Sequence, residues 1–407
     1  MFKKSLAAVA LLGAFAGSAF AADVTLYGVV DEGFLYTHKD TDLAGSDAVD
    51  KLELKSGIQA GSRWGLKGTE DLGNGLKVGF ILESGFNADD GTQGVSGTMF
   101  NREASLSVMG PFGQLSLGKI GAITQGTSSW GKVGAVSAFG TSYGAANVAN
   151  ATNVFSAPTS VADNMIAYQT PKFAGFTVYA QYSMGNSKAG DGSTPTQVEN
   201  KSSTDRYYAL GATYANGPVN LYFAVDSFNY ASYFDNLTPS TKDVDDSLTV
   251  AFGGSYDFSV VKVFAGAQYF DEVGAGTIGG LKTTGVGLND SGKLEGYALQ
   301  ASVSAPLAGG TGYFGVGYLD ASEADSVAAA KEVDIKYYVA SVGYKYDLSK
   351  RTNVYSVLSY AKGDRDWAAA GEEDTKPSTV GFGIVCATTS NLKKLIRNFV
   401  VHDLAFG

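Results

Sequence analysis

The chain is poor in the residues that build disulfides, metal centres and catalytic bases. Its 407 residues include one cysteine, Cys386, and two histidines, His38 and His402. A single cysteine excludes an intramolecular disulfide, and two histidines so far apart offer little to a metal site. Neither a C-x-x-C nor an H-E-x-x-H motif occurs. We therefore expect no cofactor, no catalytic metal and no enzymatic activity.

Long apolar runs are also missing beyond the N-terminus. No stretch of about eighteen apolar residues follows the first 21 positions, which excludes a membrane-spanning helix there. Before that point, two lysines precede an apolar segment over 5–15, and Ala19-Phe20-Ala21 matches a cleavage site. This pattern predicts a signal peptide over 1–21 and an exported chain. The net charge of −10 argues against nucleic acid as a partner.

Glycine and aromatic residues are abundant, and the apolar residues recur with a period of two. The chain has 53 glycines, 23 tyrosines and 23 phenylalanines. Alternation is clear over 219–226, 261–270 and 338–346; in the first, Val219, Leu221, Phe223 and Val225 alternate with Asn220, Tyr222, Ala224 and Asp226. Strands that are apolar on one face and polar or small on the other suit a membrane β-barrel with a wet lumen.

The connections between the alternating segments differ in length in a regular way. Seven short turns are expected at 71–74, 110–113, 170–173, 215–218, 257–259, 306–310 and 347–351. Eight long polar segments are expected at 37–58, 87–98, 121–162, 185–204, 229–245, 272–292, 320–333 and 362–377. This arrangement predicts an all-β fold, a 16-stranded antiparallel transmembrane β-barrel with short periplasmic turns and long outer loops. Sixteen strands leave an aqueous channel, and a secreted β-sandwich is the structural alternative.

Several motifs resemble one family. They are Val24–Asp31, Ser62–Lys77, Asn101–Ala104, Phe112–Lys119 and Tyr346–Tyr355. Together they resemble the trimeric porins of β-proteobacteria such as Burkholderia and Neisseria relatives, over about residues 1–385. The resemblance implies a homotrimer in the Gram-negative outer membrane, among lipid and lipopolysaccharide. It also implies a water-filled channel for passive diffusion of ions and small hydrophilic solutes, narrowed by an inward-folded third loop, 121–162.

In such porins a basic ladder on the barrel wall faces the inward loop. By motif match the ladder consists of Arg63, Lys67, Arg102 and Lys119. Period-two alternation agrees for the second strand. Trp64 and Leu66 would face lipid on one side of this strand, so Arg63 and Lys67 would face the lumen. A lipid-facing charge would cost about 2–4 kcal/mol at the midplane. The alternative is that these cations lie solvated at the barrel rim.

The chain departs from the family where the ladder should end. A basic residue is common just after the inward loop, but Asp163 and Asn164 occupy this region. The loop carries a single charged residue, Lys132. We expect Lys132 to line the constriction, and Glu83 and Asp163 to face the ladder. Because fixed charges in a narrow pore select counter-ions, the mixed set predicts a weak anion preference.

The C-terminus also differs from the family, whose members end on a tail similar to Arg-His-x-Phe. We divide the chain into a signal peptide at 1–21, a barrel at 22–385 and an atypical tail at 386–407. One possible choice of codons for Cys386–Asn391, when read from the third base, encodes Arg-His-Asn-Phe followed by a stop. A frameshift near Val385 is therefore one hypothesis. The tail could still complete the last strand.

Two further hypotheses concern the outer surface. Acidic clusters in the first, fifth and last outer loops could bind divalent cations shared with lipopolysaccharide phosphates, since such ions take oxygen ligands. The main functional alternative to a channel is an outer-membrane adhesin or receptor barrel whose lumen is blocked. A plug-sized N-terminal domain would favour that alternative, and the sequence contains none.

Overall fold

A computed structural model describes most of the chain. The described residues are 24–125, 128–140, 154–157, 159–185, 199–200, 204–230, 245–274, 278, 293–324, 333–367 and 374–391. The predicted signal peptide, 1–21, and residues 392–407 lie outside them. Within these ranges no helix is long and apolar enough to cross a membrane.

Strands dominate the described residues. They are β1 Thr25–Asp40, β2 Val49–Ser56, β3 Arg63–Gly73, β4 Leu76–Gly85, β5 Glu103–Gly110, β6 Gly113–Gly121, β7 Val161–Gln169, β8 Phe176–Ser183, β9 Arg206–Asn216, β10 Val219–Asn229, β11 Ser247–Asp257, β12 Lys262–Gly274, β13 Lys293–Leu307, β14 Gly310–Glu323, β15 Val333–Asp347, β16 Thr352–Trp367 and β17 Ser378–Asn391. One short 3-10 helix, Val133–Val136, lies between β6 and β7.

These strands form a closed antiparallel barrel. Strands β2 and β3 both pair with β1, at Glu32–Lys39 and at Thr25–Val29. They are therefore two halves of one spanning strand, interrupted at 57–62, and the barrel has sixteen spanning strands. Strand β17 pairs with β1 and closes the sheet. The predicted 16-stranded fold is confirmed.

The short turns lie where the sequence placed them. At the first, Asn74 and Gly75 both adopt positive φ, 52° and 77°, which a two-residue hairpin turn requires and which favours glycine and asparagine. The first outer loop is shorter than expected. Residues 37–40 and 49–56 are strand, because β1 and β2 continue pairing toward a narrow tip at 41–48.

The closing strand uses part of the segment that the sequence suggested as a tail. Strand β17 continues through Cys386 to Asn391, and these six residues pair with Tyr27–Glu32 of β1. A boundary at 385 therefore does not end the barrel wall. Where β1 meets β17, a Cβ on Gly33 would lie 2.2 Å from the Ile384 carbonyl oxygen. The two strands can approach this closely because glycine has no Cβ.

Alternation of exposure along the strands gives the barrel two different faces. On β10, Leu221 is 50% and Phe223 44% exposed, whereas Tyr222 is 3% and Ala224 0% exposed. The same alternation runs along β12 and β15. The exposed apolar rows face outward, as a lipid-facing barrel surface requires.

Candidate functional site

The third loop folds into the lumen, as predicted. Along its first limb, the Ser129 N–H donates to Glu103 Oε2 at 2.9 Å. Further along, the Ala138 N–H donates to Ser302 Oγ of β13 at 2.9 Å. On the returning limb, the Ser156 N–H donates to Gln268 Oε1 of β12 at 2.6 Å. The loop therefore contacts widely separated strands from inside the barrel.

Three apolar clusters pack the loop against the inward faces of β7–β17, which we name the covered wall. Loop residues Trp130 and Val136 belong to one cluster, Phe139 to a second and Val154 to a third. A Cβ on Gly253 would lie 2.9 Å from Val136 Cγ1. The wall strands therefore admit the loop closely because small residues line them here, and the main apolar core lies between loop and wall.

A buried carboxylate anchors the start of the loop. Asp226 Oδ2 accepts hydrogen bonds from Thr124 Oγ1 at 2.6 Å and from the Tyr207 hydroxyl at 2.9 Å. Thr249 donates to the other oxygen. Because three donors satisfy the buried carboxylate, it holds the loop to β9, β10 and β11 without a cation.

The far end of the described limb packs at the closing seam. Phe139 is 2% exposed and lies 5.7 Å, between ring centroids, from Tyr313 of β14. It shares a cluster with Ile58, from the interruption between β2 and β3, and with Val385 of β17. The interruption is thus an inward segment that gives the loop an apolar seat.

Asp31 holds that inward segment in place. Its carboxylate accepts the Tyr355 hydroxyl at 3.0 and 3.1 Å and the Ala60 N–H at 3.2 Å. Its backbone N–H donates to Ser62 Oγ at 3.1 Å, and its carbonyl accepts from the Gly57 N–H at 2.8 Å. The second spanning strand is broken because this network folds 57–62 into the barrel.

The inward faces of β3–β6, which we name the bare wall, carry a cluster of charged side chains together with the adjoining Arg102. Arg102 Nε donates to Glu83 Oε1 at 2.7 Å, and Arg63 Nε lies 3.6 Å from Glu83 Oε2. The Tyr27 hydroxyl also donates to Glu83 Oε2, at 2.9 Å. Two guanidinium groups thus share one carboxylate, and the structure brings together three of the residues expected at the constriction.

Lys67 and Lys132 lie apart from this cluster and line one cavity of about 700 Å³. Each ammonium lies over an aromatic ring, Lys67 at 5.0 Å from the Tyr27 centroid and Lys132 at 5.4 Å from that of Tyr179. Lys132 Nζ also donates to the Ser129 carbonyl at 3.0 Å. Burial lowers the pKa of the Lys132 ammonium, and the nearby Glu103 carboxylate opposes that change.

Lys119 and Asp163 differ from the expectation that they face the lumen. Lys119 pairs with Ala104 in the outward row of β6, in line with exposed Leu117, and forms an ion pair with Asp163. A bulge on β7, with Asn164 at φ 50°, sets Asp163 opposite Lys119. Sheet alternation therefore removes this pair from the ladder.

Sequence reasoning assigned no role to Asp31, Glu103 or Asp226, although all three are buried and hold inward segments. Their one signal in sequence is position, since each carboxylate stands on the inward register of a strand. The acidic clusters behave differently. Among the described residues, no group of three or more histidine, cysteine or acidic side chains could hold a metal ion, so the divalent-cation hypothesis gains no support from them.

Comparisons with known proteins give the same assignment. The model of the Gram-negative porin family matches residues 7–366. An outer membrane porin protein of Bordetella pertussis is 35% identical over 94% of this chain and 99% of its own. Outer membrane porin protein 32 of Delftia acidovorans is 30% identical over 88% and 90%.

Among solved structures, an anion-selective porin from Comamonas acidovorans superposes with a TM-score of 0.64 and 25% identity, over 91% of this chain and 100% of that one. The outer membrane channel DcaP of Acinetobacter baumannii shares the fold, with a TM-score of 0.56 at 16% identity. A closed barrel with an inward loop, a charged bare wall and this family match lead to one conclusion. The chain belongs to the Gram-negative porin family and resides in the outer membrane of a Gram-negative bacterium.

Proposed function

We propose that the protein is a diffusion channel for ions and small hydrophilic solutes, with a weak preference for anions. The observation that carries the proposal is the asymmetry of the lumen. The loop packs on the covered wall, while the bare wall keeps charged and polar side chains around a cavity of about 700 Å³. Solutes pass without a catalytic step, between the loop and the bare wall.

The weak anion preference follows from the charges along this path. Four cationic side chains, Arg63, Arg102, Lys67 and Lys132, accompany two carboxylates, Glu83 and Glu103. Because Glu83 is shared by two guanidiniums, it reduces their attraction for anions without cancelling it. Low-dielectric walls focus the remaining positive field into the pore. The anion-selective relative from Comamonas acidovorans supports the same sign.

The test is conductance of the purified full-length protein in planar bilayers, with the reversal potential measured across a KCl gradient. We expect stable open channels and a reversal potential of the sign that chloride permeation sets. A strong cation preference would overturn the assigned selectivity. Correctly folded protein without conductance would favour the adhesin or receptor alternative, whose lumen is blocked.

We also propose that the protein assembles as a homotrimer among outer-membrane lipid and lipopolysaccharide. Large apolar side chains stand exposed on the outward faces of β1 and β2, including Phe34, Leu52 and Leu54. Contiguous apolar surface of this kind needs lipid or a second subunit against it. Mass measurement of the detergent-solubilised protein tests the trimer, and conductance rising in groups of three would agree with it.

A further inference from the structure

Strand β2 is paired along only one of its two edges. It forms its ladder with Glu32–Lys39 of β1, and no other strand of the described residues pairs with it. Its neighbour on the far side should be β4, but β4 pairs with β3 and ends at Gly85, opposite Arg63. Because residues 57–62 fold inward, β2 borders a gap in the barrel wall, and we name its unpaired side the open edge.

The register identifies the backbone groups on the open edge. The Gly57 N–H donates to the Asp31 carbonyl at 2.8 Å, and the ladder between β1 and β2 continues this register without a shift. In an antiparallel ladder the hydrogen-bonded pairs alternate, so the odd-numbered residues of β2 bond to β1. The N–H and C=O groups that point into the gap belong to the even-numbered residues Asp50, Leu52, Leu54 and Ser56.

Part of the open edge lies at the depth of the lipid hydrocarbon. A membrane strand crosses this layer in about 9–11 residues, and β1 begins at Thr25 on the side of the short turns. Leu54 and Ser56 lie opposite Phe34 and Glu32, within this length of β1. Lipid chains neither donate nor accept hydrogen bonds, so unpaired backbone groups at this depth are strongly unfavourable.

The second outer loop of the same chain, 86–102, does not pair with the open edge. The Phe86 N–H donates to the Ser62 carbonyl at 3.0 Å, which joins the loop to the start of β3. The Phe100 ring packs edge-on against outward Trp64 of β3, at 6.2 Å between centroids. Among the described residues, no backbone hydrogen bond joins this loop to β2.

A carboxylate beside the open edge also lacks a partner. Glu32 stands opposite Ser56 in the outward row of β1, between Val30 and Phe34, which are 42% and 58% exposed. Both carboxylate oxygens are buried, and neither has a hydrogen-bond partner among the described residues. A buried carboxylate requires donors or a cation, and lipid chains supply neither.

We propose that the open edge of β2 pairs with an extended segment of a second copy of this chain, which also brings a donor or a cation to Glu32. Strand addition supplies the missing backbone partners, and exposed Leu52 and Leu54 already belong to the face assigned to the subunit contact. The added segment is not a second β2, because two β2 edges paired together would close a twofold dimer. The inference rests on the proposed homotrimer and specifies how its subunits join.

Hydrogen exchange of the solubilised full-length protein tests this pairing. The amides of residues 50–56 should exchange about tenfold more slowly in the trimer than in folded monomers, since a paired amide must open before it exchanges. Strand β10, which is paired along both edges, is the control and should exchange alike in both states. Fast exchange of 50–56 in an intact trimer would overturn the pairing and keep the trimer. Slow exchange that persists in monomers would mean that the chain covers its own edge, which also overturns it.

A proline variant tests the same contact without separating the subunits first. Proline is tolerated on an edge strand where its missing N–H faces away from the ladder, so Leu54→Pro should fold. Its trimer dissociation constant should be about tenfold higher than that of Leu54→Ala, which keeps the N–H, since one hydrogen bond contributes roughly a power of ten. Equal dissociation constants of the two variants would contradict the pairing.

The partner of Glu32 is tested by Glu32→Leu. If a second copy supplies the donor, this variant leaves that donor unsatisfied and should dissociate more readily than the wild type. A trimer that becomes more stable in Glu32→Leu would show that the carboxylate has no partner there. Conductance of the wild type in planar bilayers is scored separately, so its absence would overturn the channel and leave the result on subunit pairing in place.

Discussion

The two walls of the lumen differ in what their inward side chains do. The covered wall packs apolar clusters against Val136, Phe139 and Val154 of the loop, and it has a buried carboxylate at the loop's root. The bare wall carries ion pairs and hydrogen-bonding groups that face open space. One side of the barrel therefore holds the inward loop in place and so fixes the width of the constriction. The other side carries the charges that set which ions pass more readily.

The largest expected effect comes from shortening β17, because this strand of the covered wall closes the barrel against β1. Deleting residues 386–407 would leave Tyr27–Glu32 of β1 without their β17 partners, and so with unpaired backbone groups along one edge. Each unpaired backbone group in lipid costs several kcal/mol, so we expect no folded barrel. Deleting only 392–407 keeps β17 whole and is the matched control. Heat-dependent gel mobility measures the folded fraction, and equal folding of both truncations would contradict the closure.

A charge on the covered wall should release the loop. In Phe139→Asp, an unpaired carboxylate would enter the cluster of Ile58 and Val385, which costs several kcal/mol. We expect higher single-channel conductance and passage of larger sugars in liposome swelling. Phe139→Leu keeps an apolar side chain and should conduct as the wild type does. Unchanged conductance in Phe139→Asp would mean that this contact does not set the constriction.

A smaller loss is expected at the root of the loop. Thr124→Val removes a donor to Asp226 while keeping the side chain's shape. Losing one bond to a buried carboxylate costs about 1–3 kcal/mol, so the thermal midpoint should fall and open-channel noise should rise. Thr159→Val, which removes a bond to the Val161 carbonyl, is the control. Equal shifts in both variants would argue against a special role for Asp226.

The smallest expected effect is on ion selectivity, and it tests the balance of charges on the bare wall. Arg102→Gln should shift the chloride-to-potassium permeability ratio toward cations by about fivefold, since an interaction of roughly 1 kcal/mol between charges in water has this size. Glu83→Gln should shift the ratio the other way, because both guanidiniums would then face the pore unneutralised. Reversal potentials in a KCl gradient measure both. Shifts of the same sign in the two variants would refute this balance of charges.

Much of the fold could be predicted from period-two patterning and turn residues, because lipid imposes the outward rows. Alternation also placed Arg63 and Lys67 inward. Lys119 was assigned to the ladder by motif match alone. Alternation along β6 puts it in the outward row with exposed Leu115 and Leu117. The break at 57–62 depends on Asp31, which is held by a hydrogen bond from Tyr355, 324 positions away. No local sequence pattern predicts a break of this kind.

The apolar side chains on the inward face of the covered wall were also not predicted by the alternation of polar and apolar residues. Val333, Ile335, Tyr337 and Val339 are buried and apolar on β15, where a wet lumen predicts polar side chains. These residues share a cluster with Val154 of the loop. An inward loop supplies apolar contact in place of lipid, and a rule based on lipid and water alone cannot foresee it.

The division between the two walls is tested most directly by cysteine accessibility in open channels. In a Cys386→Ser background, Thr69→Cys places a thiol in the cavity of about 700 Å³ at the bare wall, and Ala251→Cys places one under the loop. A charged thiol reagent should reduce the current through Thr69→Cys and leave Ala251→Cys unchanged. Faster or equal block of Ala251→Cys would contradict the assignment of the open path to the bare wall.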